Sequence, residues 1–254
     1  MTQNTDKRRA TIIVFFILFI LVCLWALASE QNWINGQLLG SPYGIYHSAM
    51  LGLTQGQLIY DTWITFYETI MGLVIGSGLG IILGLGLWFY PKLSQVGEQF
   101  SVILNSIPKI ALGPMIIIWF GSDTTSKIWL SAISSFAVAM ISACAVAREI
   151  DSDLMNLFRS FKASNMQVFR KLIIPSSVPW IFSIIRINVG FSLIGAVVGE
   201  YISSNNGLGH EIFVAGSLFD LNTVWLGVIV LTVMASLVTW CIQYIEKKVV
   251  KWKA

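Results

Sequence analysis

The chain has 254 residues, of which 56% are hydrophobic and only 11% charged, with a net charge of +3. That balance is far too apolar for an ordinary soluble domain, and so small a positive excess gives no basis for a nucleic-acid surface. Crossing roughly 30 Å of hydrocarbon takes about 20 apolar residues. Six runs meet that length, near residues 10–28, 62–90, 100–120, 128–147, 177–199 and 222–245. The expected fold is therefore all-α, a polytopic membrane protein of six transmembrane helices with one polar insert at 148–175.

The first run follows Lys7, Arg8 and Arg9, and Ala26-Leu27-Ala28 resembles a signal-peptidase site. Its apolar stretch from Ala10 to Ala28 exceeds a signal h-region, so it reads as a retained anchor. Thirteen of the sixteen basic residues fall on one face of the predicted topology: Lys7 to Arg9, Lys92, the 148–171 cations and Lys247, Lys248, Lys251 and Lys253. Segments 29–60 and 200–221 contain no Lys or Arg, and the 121–127 turn adds only Lys127. Positive charge marks the cytoplasmic side, which places both termini there. The chain thus divides into a tail and first helix (1–28), an external segment (29–56), a core (57–245) and a basic tail (246–254).

In the second span Gly72, Gly76, Gly80 and Gly84 recur every four residues. Such a stripe lets another helix approach closely, and a permeation-path lining is the alternative. Glu68 lies in the same span. The third span is interrupted by Pro108, Gly113 and Pro114, and prolines at membrane depth often mark a transporter's binding site. Lys109, with Asn105 one turn earlier, lies about 15 Å into that span at 1.5 Å per residue. A charge there serves either a polar or anionic substrate or a structural pair, with Glu68 as the candidate partner. Arg186, past Pro179 in the fifth span, is shallow enough to snorkel to the inner interface.

Cys23, Cys144 and Cys241 lie in apolar spans, which points to packing rather than disulfides. His47 and His210 stand alone, so no metal site is expected. No phosphate-cradling G-x-x-x-x-G-K-[ST] and no Ser/His/Asp pattern is present, so this chain is expected to be non-catalytic and to bind no cofactor.

The insert carries the most distinctive pattern. Asp151, Ser152 and Asp153 open a helix whose Leu154, Leu157, Phe158 and Phe161 share a face, predicting an amphipathic helix over 153–162. Ser164 can cap a second, 165–173, with Val168, Phe169, Leu172 and Ile173 apolar, until Pro175 ends it. Such a helical hairpin fits either a docking surface for a protein or an interfacial pair resting on lipid headgroups near Arg159, Lys162, Arg170 and Lys171.

The stretch Arg159-Ser160-Phe161-Lys162-Ala163-Ser164, followed by Val168 to Pro175, resembles the cytoplasmic EAA loop of ABC importer permeases. Ile107 to Pro114 with Trp119-Phe120-Gly121, Pro175-x3-Pro179 with Arg186, and Gly199-Glu200-Tyr201 with Gly207-Leu208-Gly209 resemble the nitrate/sulfonate/taurine branch. The similarity is collinear from about Gln57 to Tyr244. Asn156-Leu157-Phe158 stands where the loop has Glu-Ala-Ala, Lys162 and Ile184 where glycines are customary, and Glu68 where this branch often has Arg.

The resemblance implies a type I importer of the bacterial cytoplasmic membrane. Two copies of this chain would work with cytoplasmic ATPases, which bind ATP and Mg, and with an external binding protein. Leu157, Phe158, Arg159, Phe161, Lys162, Ala163, Ser164, Phe169, Arg170, Lys171 and Pro175 would couple to the ATPase. Asn105, Pro108, Lys109, Glu68 and Arg186 would belong to the translocation path, and Glu200, Glu211 and Asp220 would meet the binding protein. The implied cargo is a small anionic or polar solute: a sulfonate, taurine, nitrate or a vitamin precursor. The competing class is an ion-coupled secondary transporter with Lys109 and Glu68 as its relay.

Overall fold

The structure, a computed structural model, describes residues 2–31, 33 and 39–250. Its helices are α1 (Thr2–Glu30), α2 (Pro42–Gln55), α3 (Gln57–Gly86), α4 (Pro91–Ser106), α5 (Lys109–Phe120), α6 (Thr124–Arg148), α7 (Ser152–Ser160), α8 (Asn165–Val168), α9 (Ile174–Ile202), α10 (Leu208–Ser217) and α11 (Leu221–Val249). Among the described residues there is no strand. Four helical stretches, 57–89, 124–148, 165–202 and 221–249, are long and apolar enough to cross a membrane. Lys251, Lys253 and the side chains of Lys7, Arg8 and Arg9 lie outside the described residues.

Three expectations need correction. The third predicted span is not one helix: α4 and α5 meet at 92°. The break is at Ile107-Pro108, both extended, because the residue before a proline is pushed out of the helical region, while Pro114 is carried inside α5. The expected external segment contains α2, and most of 200–221 is helical rather than loop. Pro175 does not end a helix. Residues 165–202 run on as one helical path through a π turn at Phe169–Ile173, with Pro175 in the first turn beyond it. A wide turn there accommodates a residue that lacks an N–H and crowds the preceding carbonyls.

The chain divides into two compact units, residues 1–60 with 211–230 and residues 61–210 with 231–254. In the first, Ser41 caps α2 by accepting from Gly44 N at 2.9 Å, and Pro42 fills the first-turn position that needs no donor. Asn222 Oδ1 accepts from Ser41 N at 2.9 Å, and the Trp225 indole donates to Leu39 O at 3.1 Å. Trp25 and Trp225 pack with ring centroids 5.6 Å apart.

The second unit is built around α6, nine of whose thirteen buried residues are serine or alanine. Side chains this small let neighbours approach to backbone contact, and the four-residue glycine stripe of α3 does so. A Cβ at Gly76 would stand 2.1 Å from Ala132 O, and one at Gly80 2.6 Å from Phe136 O. On the other side Gly195 of α9 meets Ser131 Cα at 2.6 Å on the same measure. The stripe is thus a packing surface. Asn188 Nδ2 ties all three helices by donating to Ser77 Oγ at 2.8 Å and Ser135 O at 3.0 Å. Toward the hairpin end the core becomes aliphatic, with Ile81, Leu85, Ala139, Ala143, Ala147 and Ile184 buried together.

Candidate functional site: the 151–175 hairpin and the buried acids

The hairpin begins where Asp151 Oδ1 accepts from Asp153 N at 2.8 Å, a cap that also puts negative charge at the start of α7. It turns at Lys162, which has φ +52. Lys162 N donates to Arg159 O at 2.9 Å and Ala163 N to Phe158 O at 3.1 Å, the paired bonds of a Schellman ending. Glycine normally fills that left-handed position, and a side chain there costs about 1–2 kcal/mol. The α8 start is then fixed by a reciprocal capping box: Gln167 N donates to Ser164 Oγ at 3.3 Å, and Ser164 N to Gln167 Oε1 at 2.8 Å.

Val168, Leu172 and Ile173 are buried beneath the hairpin, packed against Met155, Phe158, Ala163 and Trp88. Phe169 packs tilted against Phe89 and Trp88, with centroids 4.7 and 5.9 Å away. This divides the aromatic residues expected to share one outward surface. Phe158 faces inward onto Val168, Leu172 and Ile173, and Phe169 holds the hairpin onto the 87–89 turn, because the continuous 165–202 helix turns that flank of the hairpin toward the bundle. Leu154, Leu157 and Phe161 stay outside, Phe161 75% exposed, with Arg159, Lys162, Arg170 and Lys171 exposed around them. Beside the hairpin a groove of about 390 Å³ is lined by Trp88, Gln95, Arg148, Met155, Asn156 and Arg159, among others. Arg148 is held there in an ion pair with Glu98.

The expected Lys109–Glu68 pair does not form. Lys109 Nζ donates to Asn105 Oδ1 at 3.0 Å, back across the α4–α5 break, and lies 5.5 Å from the centre of the Phe191 ring. Glu68 is 1% exposed and adjoins Glu200, Thr124 and Lys127 instead. Lys127, expected in an outer turn, is 2% exposed and donates to the carbonyls of Ser122 and Asp123.

Glu200 is likewise not an exposed loop acid: it is fully buried near the end of α9. Its Oε1 accepts from Thr65 Oγ1 at 2.6 Å and its Oε2 from Gly209 N at 2.6 Å. Gly207 N donates to Asp61 Oδ1 at 2.6 Å and Leu208 N to Thr65 Oγ1 at 2.9 Å. Three successive amides opening α10 are thus satisfied by side chains. A Cβ at Gly207 or Gly209 would fall 2.4 or 2.6 Å from a Glu200 oxygen, so this carboxylate needs bare backbone opposite it. Sequence reasoning missed this clasp. The signal was available: an acid in the last turn of an apolar span must find donors, and Gly207-Leu208-Gly209 supplies backbone ones. Glu211 lies in the first turn of α10, and Asp220 caps α11 by accepting from Thr223 N at 3.3 Å and Thr223 Oγ1 at 2.7 Å.

Arg186 is ion-paired with Glu246 of α11 and donates to Ser183 Oγ at 2.8 Å. Arg186 also lines a groove of about 480 Å³ between α9 and α11, with Gly190, Ser236, Thr239, Trp240 and Gln243 among its other walls. Among the described residues no cluster of His, Cys, Asp and Glu could hold a metal ion.

The profile of the "binding-protein-dependent transport system inner membrane component" family matches residues 76–251, taking in Gly76, Gly80 and Gly84 of the stripe, the hairpin, and Glu200 with Gly207-Leu208-Gly209. The chain belongs to this family of ABC importer permeases. Its relatives include the permease from Bacillus subtilis whose name assigns it to aliphatic sulfonates transport, SsuC, 27% identical over 92% of this chain and 85% of that one. The Escherichia coli SsuC is 29% identical over 99% and 96%. The formylaminopyrimidine transport permease ThiX of Halalkalibacterium halodurans is 25% identical over 87% and 90%. In fold, this permease is similar to a chain of the inward-facing MetNI methionine ABC transporter, with a TM-score of 0.63 and 19% identity over 78% of this chain and 96% of that chain. It is also similar to a chain of a bacterial ABC transporter that imports alginate, with a TM-score of 0.65 and 15% identity over 95% and 93%.

Proposed function

We propose that this permease forms the alternating-access path of a type I importer and that its 151–175 hairpin is the element grasped by a cytoplasmic ATPase. The observation that carries the reading is the division of the hairpin's surface. One apolar flank, with Phe158 and Phe169, is fastened to the bundle, while Leu154, Leu157 and Phe161 are presented outward amid cations. A hairpin lying on lipid would have no need of the inward aromatic contacts of Phe169 with Trp88 and Phe89 that hold this one to the 87–89 turn. Six spans, with α1 the first and the bent α4–α5 pair the third, put both termini on the hairpin's side. The run of Lys247 and Lys248 in the last turn of α11 supports that orientation.

A second copy of the chain, ATPase subunits holding ATP and Mg, and an external binding protein complete the assembly. The core is 57–245, preceded by the 1–28 anchor and the 29–56 segment and followed by the basic tail 246–254. The cargo is a small anionic or polar solute of the sulfonate, taurine, nitrate or vitamin-precursor class, and the names of the SsuC and ThiX relatives support it. Lys109 beside the α4–α5 break attracts that solute, with Asn105 and Phe191 as its neighbours. The separation of Lys109 from Glu68 removes the relay that a secondary transporter would use. Glu211 and Asp220 remain candidates for the binding-protein contact, and Glu200 does not.

Co-purification tests the reading. The intact chain should bring down an ABC ATPase, and Phe161→Asp should abolish both that association and transport-coupled ATP hydrolysis while leaving the chain folded. Uptake that continues without any ATPase would overturn it.

A further inference from the structure

The hairpin keeps a lysine where its own backbone asks for glycine. Lys162 sits at φ +52 in the Schellman turn, fully outside the packed cluster, and no hydrogen bond or ion pair within the described residues uses its ammonium group. A side chain held in an unfavourable backbone conformation without any internal contact points to a partner outside the chain. Beyond Asp151 and Asp153, which open α7, the charge is one-sided. From Leu154 to Ile174 the sequence carries Arg159, Lys162, Arg170 and Lys171 and not one Asp or Glu. All four are exposed, and none is ion-paired within the described residues. Leu157 and Phe161, on either side of Arg159 in sequence, are both exposed.

We infer that Lys162, with Arg159 beside it, is the specificity-determining contact of this hairpin and that the ATPase surface it selects is an apolar cleft rimmed by carboxylates. The inference rests on the hairpin being the ATPase contact and adds the chemistry of the partner. Leu157 and Phe161 enter the apolar floor, and the cations meet the acidic rim. That arrangement discriminates against ATPases whose cleft is neutral or basic, since like charges brought together at an interface are strongly unfavourable.

The experiment uses the full-length chain in nanodiscs with the ABC ATPase that co-purifies with it, measuring affinity across a salt series. Lys162→Gly should raise the thermal midpoint of the chain alone yet weaken ATPase binding about threefold to fivefold and flatten its salt dependence. Lys162→Glu should weaken it about tenfold or more. Phe161→Asp should cost at least about 30-fold, as loss of a buried anchor. Unchanged affinity and salt slope in Lys162→Gly and Lys162→Glu, with Phe161→Asp still disruptive, would overturn the inference while leaving the hairpin as the contact. Unchanged binding in all three would overturn the contact itself. A membrane role is separated by trypsin. Without ATPase, cleavage after Lys162 should proceed equally in neutral and anionic nanodiscs and be blocked on adding ATPase. Protection by anionic lipid alone would overturn the inference in favour of headgroup binding.

Discussion

Gly76→Ala adds a single methyl to α3 where it lies tightest against the main chain of α6. The new Cβ would lie 2.1 Å from Ala132 O and 2.3 Å from Ser135 Oγ. The Ala132 carbonyl is main chain in the middle of a helix and cannot step aside, so α3 must move by more than 1 Å to restore ordinary van der Waals separation. That displacement also opens the contacts at Gly72, Gly80 and Gly84, which share the stripe. Forced overpacking of this kind costs about 1–3 kcal/mol. At roughly 2–4 °C per kcal/mol for a domain of this size, the thermal midpoint in detergent should fall by several degrees. Gly78→Ala is the control two residues away: nothing lies within 4 Å of its Cβ. It should be neutral or stabilising by up to about 1 kcal/mol, from helix propensity alone. Differential scanning fluorimetry on the two variants checks both signs at once. A Gly76→Ala midpoint at or above that of Gly78→Ala would refute the claim that the glycine stripe is a packing surface.

Arg186→Ala strands Glu246 and should destabilise the chain by about 1 kcal/mol, a figure discounted for the partial exposure of both side chains. Adding Glu246→Ala should recover most of the loss, and a double-mutant cycle showing simple additivity would exclude a working pair. Glu200→Ala removes the acceptor from Gly209 N and Thr65 Oγ1 in a buried setting. It should cost about 1–3 kcal/mol and speed amide exchange at 207–209, whereas unaltered exchange there would rule out the clasp.

The helical class, most span positions and the hairpin's two helices were legible because each rests on local pattern: apolar length, i, i+3, i+4 spacing, and the caps at Asp151 and Ser164. The glycine stripe announced close packing but not its partner, since nothing in a four-residue repeat names the serine and alanine face of α6 that receives it. The acids were misread for a related reason. Glu200 looked like the first residue of an outer loop, but α9 carries it inside, where Thr65 and Gly209 satisfy it. Those donors lie 135 and nine residues away in sequence. Lys109 and Glu68 invited pairing by sign and depth, and the right-angled break at Pro108 turned the lysine toward Asn105. Phe158 and Phe169 fit the outward stripe by spacing alone, and only the unbroken run into α9 decides which flank of the hairpin faces the bundle.

That unbroken run has a mechanical consequence. From Ile174 to Ile202, α9 has 29 residues, about 43 Å at 1.5 Å per residue, with the hairpin rooted in one end and Glu200 near the other. A stiff rod of that length swings its far tip by about 0.75 Å for each degree of tilt at its base. Glu200 Oε1 accepts from Thr65 Oγ1 of α3 at 2.6 Å, so a tilt of only two or three degrees relative to α3 is enough to part them.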